Sequence, residues 1–237
     1  VRQRWHALLA RYIAGEPLAY LTGIQPFMRF NLKTTPAAAI PRPLTEAWLA
    51  AAIDYLKRQQ LVTARSWLVD VGTGTGAIAL SLARAFPRAK VVALEKDSAT
   101  LNLARRNFSR YPSANLKLVK SDLLAALPKS PPPSRLFWFA NLPYLPTRAY
   151  LENPSLRFEP RAALEGGRDG RKVLRAFFAQ LTERTALRVK TVFICCEHAP
   201  TQKTWVVRRL RELFPALQPC SFPDVRPEMV TAYGLRN

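Results

Sequence analysis

The residues best suited to chemistry fall in two short stretches. The first is Asp70-Val71-Gly72-Thr73-Gly74-Thr75-Gly76. It follows an apolar run of strand character and opens a helical pattern, which is where a doubly wound sheet meets a nucleotide-type cofactor. Glycine in such a loop lets the backbone come close to a ligand. Glu95 ends the next apolar run, 19 residues after Gly76. A carboxylate placed there can accept two hydrogen bonds from ribose hydroxyls. The second stretch is Asn141-Leu142-Pro143-Tyr144, directly after the apolar run 136–140 and therefore at the carboxyl edge of the same sheet. Each stretch also has a plain structural reading, a glycine turn in the first case and an Asn-Pro turn in the second. Their occurrence together favours chemistry.

Glycine spacing separates the cofactor classes. Nicotinamide dinucleotide folds use Gly-x-Gly-x-x-Gly, whereas here the glycines alternate at 72, 74 and 76 behind Asp70. This resembles the first motif of class I methyltransferases, whose loop takes a methionine moiety rather than a pyrophosphate. The resemblance implies S-adenosyl-L-methionine as cofactor and S-adenosyl-L-homocysteine as product. It places Asp70, Gly72, Thr73, Gly74, Thr75, Gly76, Glu95 and Asn141 around the cofactor, with Asp122 and Leu123, just after the third strand, near the adenine. Taken alone, an Asp at a strand end is a turn or cap residue.

Asn141-Leu142-Pro143-Tyr144 resembles the Asn-Pro-Pro-Tyr motif of methyltransferases that act on amide or exocyclic nitrogens. An amide nitrogen is a poor nucleophile because its lone pair is delocalised, so such a site must align it with the methyl group. The Asn141 side-chain oxygen and the Leu142 carbonyl would hold the two N–H hydrogens, and Tyr144 would stack on the planar group. Leu142 stands where amide-methylating enzymes usually have proline. That change brings the motif closer to the Asn-Leu-Pro-Tyr of ribosomal RNA adenine dimethyltransferases.

Three more stretches bear on the substrate: residues 11–23 (RYIAGEPLAYLTG), residues 41–46 (PRPLTE), and Phe158-Glu159-Pro160 followed by residues 163–170 (ALEGGRDG). With the loop and the tetrad they resemble, in order, the HemK/PrmC family of release factor glutamine methyltransferases over about residues 8–200. The resemblance implies methylation of the glutamine in the Gly-Gly-Gln loop of peptide chain release factors. It also implies a seven-stranded, mostly parallel Rossmann-like catalytic domain joined through a hairpin to an N-terminal helical bundle. It sets Pro41 and Thr45 near the substrate with Asn141, Leu142, Pro143 and Tyr144. On this basis residues 1–40 are a helical remnant and hairpin linker, and 41–237 the catalytic domain of a cytoplasmic monomer. Two other functions stay open, an RNA adenine-N6 methyltransferase and a non-catalytic ribosome-associated module.

The elements needed to position these residues are legible. Helical spacing covers the opening segment until Gly15 and Pro17 break it, and residues 24–40 suggest a small hairpin. A helix is expected from the Pro41–Pro43 region to about residue 61, with proline tolerated at its start. Strands are expected at 67–71, 90–94, 116–119, 136–140 and 191–196, and helices at 77–86, 98–108, 172–184 and 205–213. A proline loop at 131–133, a long loop after the tetrad and a terminal hairpin complete the pattern. Strands alternating with helices imply an α/β fold with a parallel sheet covered on both faces.

At 237 residues the chain suits one α/β domain with a short attachment, and it opens without Met, which is compatible with a fragment or a processed product. Its apolar runs are too short to span a bilayer. Three cysteines, two of them the neighbours Cys195 and Cys196, match neither a disulfide framework nor zinc spacing. His6 and His198 lack partners at metal-ligand spacing, so no metal is expected. The extreme quantity is charge: 36 basic against 16 acidic side chains, net +20. That excess favours polyanionic surroundings such as the ribosome or RNA and says nothing of the reaction.

Overall fold

The computed structural model describes residues 2–128, 135–185, 191–222 and 225–235. The opening segment forms α1 (Arg2–Ile13) and α2 (Leu18–Thr22), separated where Gly15 adopts positive φ and Pro17 caps the second helix. Strands β1 (Ile24–Phe27) and β2 (Phe30–Lys33) pair antiparallel as the expected hairpin. Phe27, Phe30 and Leu32 bury into the main apolar core with Trp48 and Leu49. The hairpin therefore packs on the main core.

Next come α3 (Pro43–Arg58), β3 (Ser66–Val71), α4 (Ala77–Ala85), β4 (Lys90–Glu95), α5 (Ser98–Arg110), β5 (Leu116–Lys120) and β6 (Arg135–Ala140). The proline loop expected at 131–133 lies outside the described residues. The stretch after β6, expected to be one long loop, instead contains α6 (Thr147–Leu151), a 3₁₀ turn (Pro154–Phe158) and α7 (Arg161–Leu164). These pieces have four or five residues each and no long apolar periodicity to announce them. The chain continues through α8 (Lys172–Thr185), β7 (Thr191–Glu197), α9 (Lys203–Leu213), β8 (Gln218–Cys220) and β9 (Val230–Gly234). β7 runs one residue beyond its expected end at Cys196, and that residue matters below.

Seven strands form one sheet in the order β5-β4-β3-β6-β7-β9-β8. β3 to β7 are mutually parallel, and β9 is inserted antiparallel between β7 and β8. The order reverses at β3, whose neighbours are β4 and β6, so the carboxyl ends of these strands open a crevice at a topological switch point. Strand alternation sends Leu68, Phe137 and Cys195 into the core under α3 and α4, and Val69, Trp138 and Cys196 into the core with α8 and α9. The adjacent cysteines thus fill opposite faces, and the cysteines are free thiols. Among the described residues no group of His, Cys, Asp and Glu is arranged to hold a metal, and no helix is long and apolar enough to cross a membrane.

Candidate active site

The glycine loop turns sharply from β3 into α4, with Gly72, Gly74 and Gly76 all at positive φ. Two of the three also lie against side chains. A Cβ on Gly76 would stand 2.3 Å from the Phe108 ring, and one on Gly72 would stand 2.9 Å from Leu142 Cδ2. A Cβ on Gly74 would meet nothing within 4 Å, so the loop is open at its middle. Asp70 is fully buried beneath it. Its Oδ2 accepts from the Thr73 hydroxyl at 2.5 Å and from the Ala79 backbone N–H at 3.1 Å, satisfying one of the unpaired amides at the start of α4. Its Oδ1 is buried without a partner. Burial pushes the Asp70 carboxyl up to about 7, against the hydrogen bonds from Thr73 and Ala79.

Glu95, at the end of β4, faces the same loop. Its Oε2 accepts from Gly74 N–H at 3.0 Å, and its Oε1 from the N–H groups of Lys96 at 2.8 Å and Asp97 at 3.0 Å. Burial outweighs these bonds and raises its carboxyl above the usual range. A carboxylate has about four acceptor positions, so one remains for a ligand hydroxyl while Gly74 stays bound. Asp122 sits beside it in an exposed ion pair with Lys96 at 2.7 Å. The next residue, Leu123, is held at φ 52, unusual for a non-glycine side chain, with its carbonyl accepting from the Ser121 hydroxyl.

The tetrad leaves β6 next to this loop. Leu142 is buried, and its side chain fills the gap beside Gly72. The Asn141 side-chain N–H donates to Thr45 Oγ1 at 2.9 Å, and the Tyr144 hydroxyl donates to Glu197 Oε1 at 2.9 Å. Burial and the neighbouring Glu197 raise the Tyr144 phenol well above its ordinary value. From behind, the glycine segment clamps the tetrad backbone. A Cβ on Gly166 would stand 2.7 Å from Pro143 O, and one on Gly170 would stand 2.1 Å from Tyr144 O. Gln202, buried, donates to Tyr144 O at 2.8 Å and to Asp169 O at 3.2 Å. These glycines are sites of close backbone approach as well as turn formers.

Comparisons with known proteins bear on the assignment. A release factor glutamine methyltransferase of Streptomyces coelicolor is 33% identical over 238 aligned residues, covering 97% of this chain and 80% of that protein. The chain belongs to the release factor glutamine methyltransferase family. A second release factor glutamine methyltransferase, from Moorella thermoacetica, is 42% identical over 70% of this chain, and the chain spans 56% of that protein's length. Residues 53–139 also match the precorrin methyltransferase domain model. In fold, the chain is similar to the N-terminal domain of human METTL16 in complex with SAH, with a TM-score of 0.55 at 17% identity over 87% of this chain and 76% of that one.

As a member of the release factor glutamine methyltransferase family, the chain has its candidate residues gathered at one edge of the sheet, with different degrees of contact. The loop, Glu95 and the tetrad adjoin one another, and Thr45 reaches Asn141 directly. Pro41 is held indirectly: the preceding Ile40 N–H donates to Glu159 at 2.9 Å, and Arg42 pairs with the same carboxylate. Sequence reasoning missed Glu197, Trp48, Gln202 and Asn107, and it named Glu159 within the Phe158-Glu159-Pro160 stretch without giving it a role. Glu197 could have been found by the rule that found Glu95, an acid at the carboxyl end of an apolar strand. Asn107 joins the hairpin to the glycine loop by bonding Lys33 on both backbone groups and Thr75 O at 2.8 Å. Nothing in a lone helical asparagine signals that role.

Proposed function

We propose that this chain transfers a methyl group from S-adenosyl-L-methionine to the side-chain amide nitrogen of the glutamine in the Gly-Gly-Gln loop of a peptide chain release factor, in the cytoplasm. The observation that carries the proposal is the contact of two motifs: the cofactor-type loop and the Asn141 tetrad adjoin across Gly72 and Leu142.

The residues present suit the cofactor. Asp70 Oδ1, buried and without a partner, is an acceptor suited to the ammonium of a methionine moiety. The open side of Gly74 admits a ligand against the backbone, and Glu95 retains an acceptor position for a ribose hydroxyl. Asp122 and Leu123 would border the adenine, with Gly72, Thr73, Thr75 and Gly76 shaping the loop. When bound, S-adenosyl-L-methionine supplies an electrophilic methyl on a sulfonium centre. The protein's task is orientation, because an amide lone pair is delocalised and must be aimed.

With its N–H turned to Thr45, Asn141 presents Oδ1 to the cleft as an acceptor for one substrate N–H. The Leu142 carbonyl accepts the other, since a leucine supplies the same backbone acceptor as a proline. Burial of the Leu142 side chain against Gly72 supplies, by packing, rigidity that a proline ring would give covalently. Tyr144, tethered at its hydroxyl, offers its ring to the planar amide. The test is incubation of the chain with labelled cofactor and a release factor isolated without that methylation, followed by peptide mapping. A single methyl on the Gly-Gly-Gln glutamine is expected. Label confined to RNA adenine would overturn the assignment.

A further inference from the structure

Glu197 is 1% exposed and sits beneath the tetrad with three donors on its two oxygens. Oε2 takes the Trp48 indole N–H at 2.7 Å and the Thr45 hydroxyl at 2.8 Å, while Oε1 takes the Tyr144 hydroxyl at 2.9 Å. The Thr45 oxygen in turn meets the Asn141 amide at 2.9 Å. All of these groups belong to the site already described, yet Glu197 and Trp48 stand behind it.

The polarity of this chain of bonds follows from donor and acceptor chemistry. An indole N–H can only donate, so Oε2 serves as an acceptor. The Thr45 hydroxyl, facing an acceptor, spends its single hydrogen on Oε2, which leaves its lone pairs for Asn141. Only the NH₂ end of the Asn141 amide can satisfy a lone pair, so that end faces Thr45 and Oδ1 faces the cleft. An unsupported asparagine could flip and present two N–H groups to a substrate that itself has two, and neither would then be accepted. Amide orientation is assigned from the surrounding hydrogen bonds, and here they leave one choice.

We infer that Glu197 and Thr45 are positioning residues that lock the side-chain amide of Asn141 with its oxygen toward the substrate nitrogen. The same carboxylate holds Tyr144 at its hydroxyl, so one buried group sets both the acceptor and the stacking ring. The inference rests on the proposed methyl transfer for its kinetic consequence, and on the free protein for its structural one.

The decisive pair is Thr45→Val, which keeps the shape and removes the hydroxyl, against Thr45→Ser, which keeps the hydroxyl. In Thr45→Val the turnover number is expected to fall at least about tenfold with cofactor affinity within about twofold of the unmodified chain, and Thr45→Ser is expected to recover most of the loss. Glu197→Gln can keep an acceptor at Oε2 by turning its NH₂ to Tyr144, whereas Glu197→Leu cannot. The glutamine variant is therefore expected to be the milder of the two. Independently of activity, ¹⁵N-edited NMR of the free protein should show the Asn141 side-chain NH₂ pair, identified by its loss in Asn141→Ala, shift and lose exchange protection in Thr45→Val. If the release factor accepts no methyl from the unmodified chain, the functional proposal fails and the NMR comparison still decides this one. An unchanged Asn141 NH₂ pair in Thr45→Val, or a lowered melting temperature with no change in turnover of the folded protein, would overturn it.

Discussion

Replacing Asn141 with alanine separates alignment from binding. The substitution removes an acceptor that the proposed reaction uses on the substrate nitrogen and leaves the glycine loop, Asp70 and Glu95 in place. Turnover should drop well beyond about tenfold, an effect of about 1.4 kcal/mol, with cofactor affinity falling far less. Single-turnover rates at saturating cofactor, set beside calorimetry, measure the two quantities. Asp70 makes a prediction of opposite kind. Its folded-state value, pushed up to about 7 by burial, lies above its ordinary 3.8. The stabilisation is thus full below about pH 4 and is lost as pH rises toward 7, at no more than about 1.4 kcal/mol per pH unit. Asp70→Asn escapes that loss. Its melting temperature relative to the unmodified protein should rise from pH 4 to pH 8, while its affinity for S-adenosyl-L-methionine at pH 8 should be weaker. A melting difference that does not vary with pH would refute the buried-carboxylate account.

The glycine segment behind the tetrad acts at the scale of the element. Gly170 has φ +71, and a Cβ there would stand 2.1 Å from Tyr144 O and 2.3 Å from the Gln202 amide nitrogen. Gly170→Ala therefore costs about 1–2 kcal/mol from handedness alone, and the clash must be relieved by moving the backbone that presents Tyr144. Thermal melting should show lower stability, and methyl transfer should fall more than cofactor binding, because a Cβ on Gly170 meets Tyr144, Gln202 and Pro146 and not the loop of residues 70–76. The parallel strands and their flanking helices were legible because apolar period and breaker residues agree over five or more residues, and the hairpin showed as a loose alternation of aromatic and β-branched residues. The carboxyl-edge position of the tetrad was legible for the same reason. The short helices between residues 147 and 164 were not, because each is too brief to show a period and is held by tertiary bonds such as Leu145 N–H to Leu164 O at 2.9 Å. Asn107, Gln202 and Glu159 act through partners 32 to 119 residues away, a separation at which local pattern carries no information. Glu197 escaped because β7 extends one residue past the apolar run.

Across the whole molecule, charge and chemistry are arranged differently. The net charge is +20, yet Asp70, Glu95, Asp97, Asp122, Glu159, Glu165, Asp169 and Glu197, half of the 16 acidic side chains, lie at the carboxyl edge of the sheet or in the segments packed on it. Several of these are paired with cations there, as Glu159 is with Arg42 and Asp169 with Arg175. The basic excess is spread over other elements, with Arg58 on α3, Arg84 on α4, Arg105 on α5 and Arg208 on α9. A polyanion is attracted to such a surface without being guided into the crevice, and attraction of that kind is a counterion effect that weakens linearly in log salt. We therefore expect naked ribosomal RNA to bind at about 50 mM salt and to lose orders of magnitude in affinity by about 200 mM, with no label entering its bases at either concentration. A release factor should accept methyl on its Gly-Gly-Gln glutamine at both, because its access depends on a protein loop entering the crevice and not on the diffuse basic surface. Running both substrates in one reaction across the salt series removes differences in enzyme preparation. Label in adenine that rises as salt falls, with none in the release factor, would mean that the +20 charge delivers substrate and that Leu142 marks a base pocket. Label in the release factor alone would assign the charge to location and the Asn141 edge to chemistry.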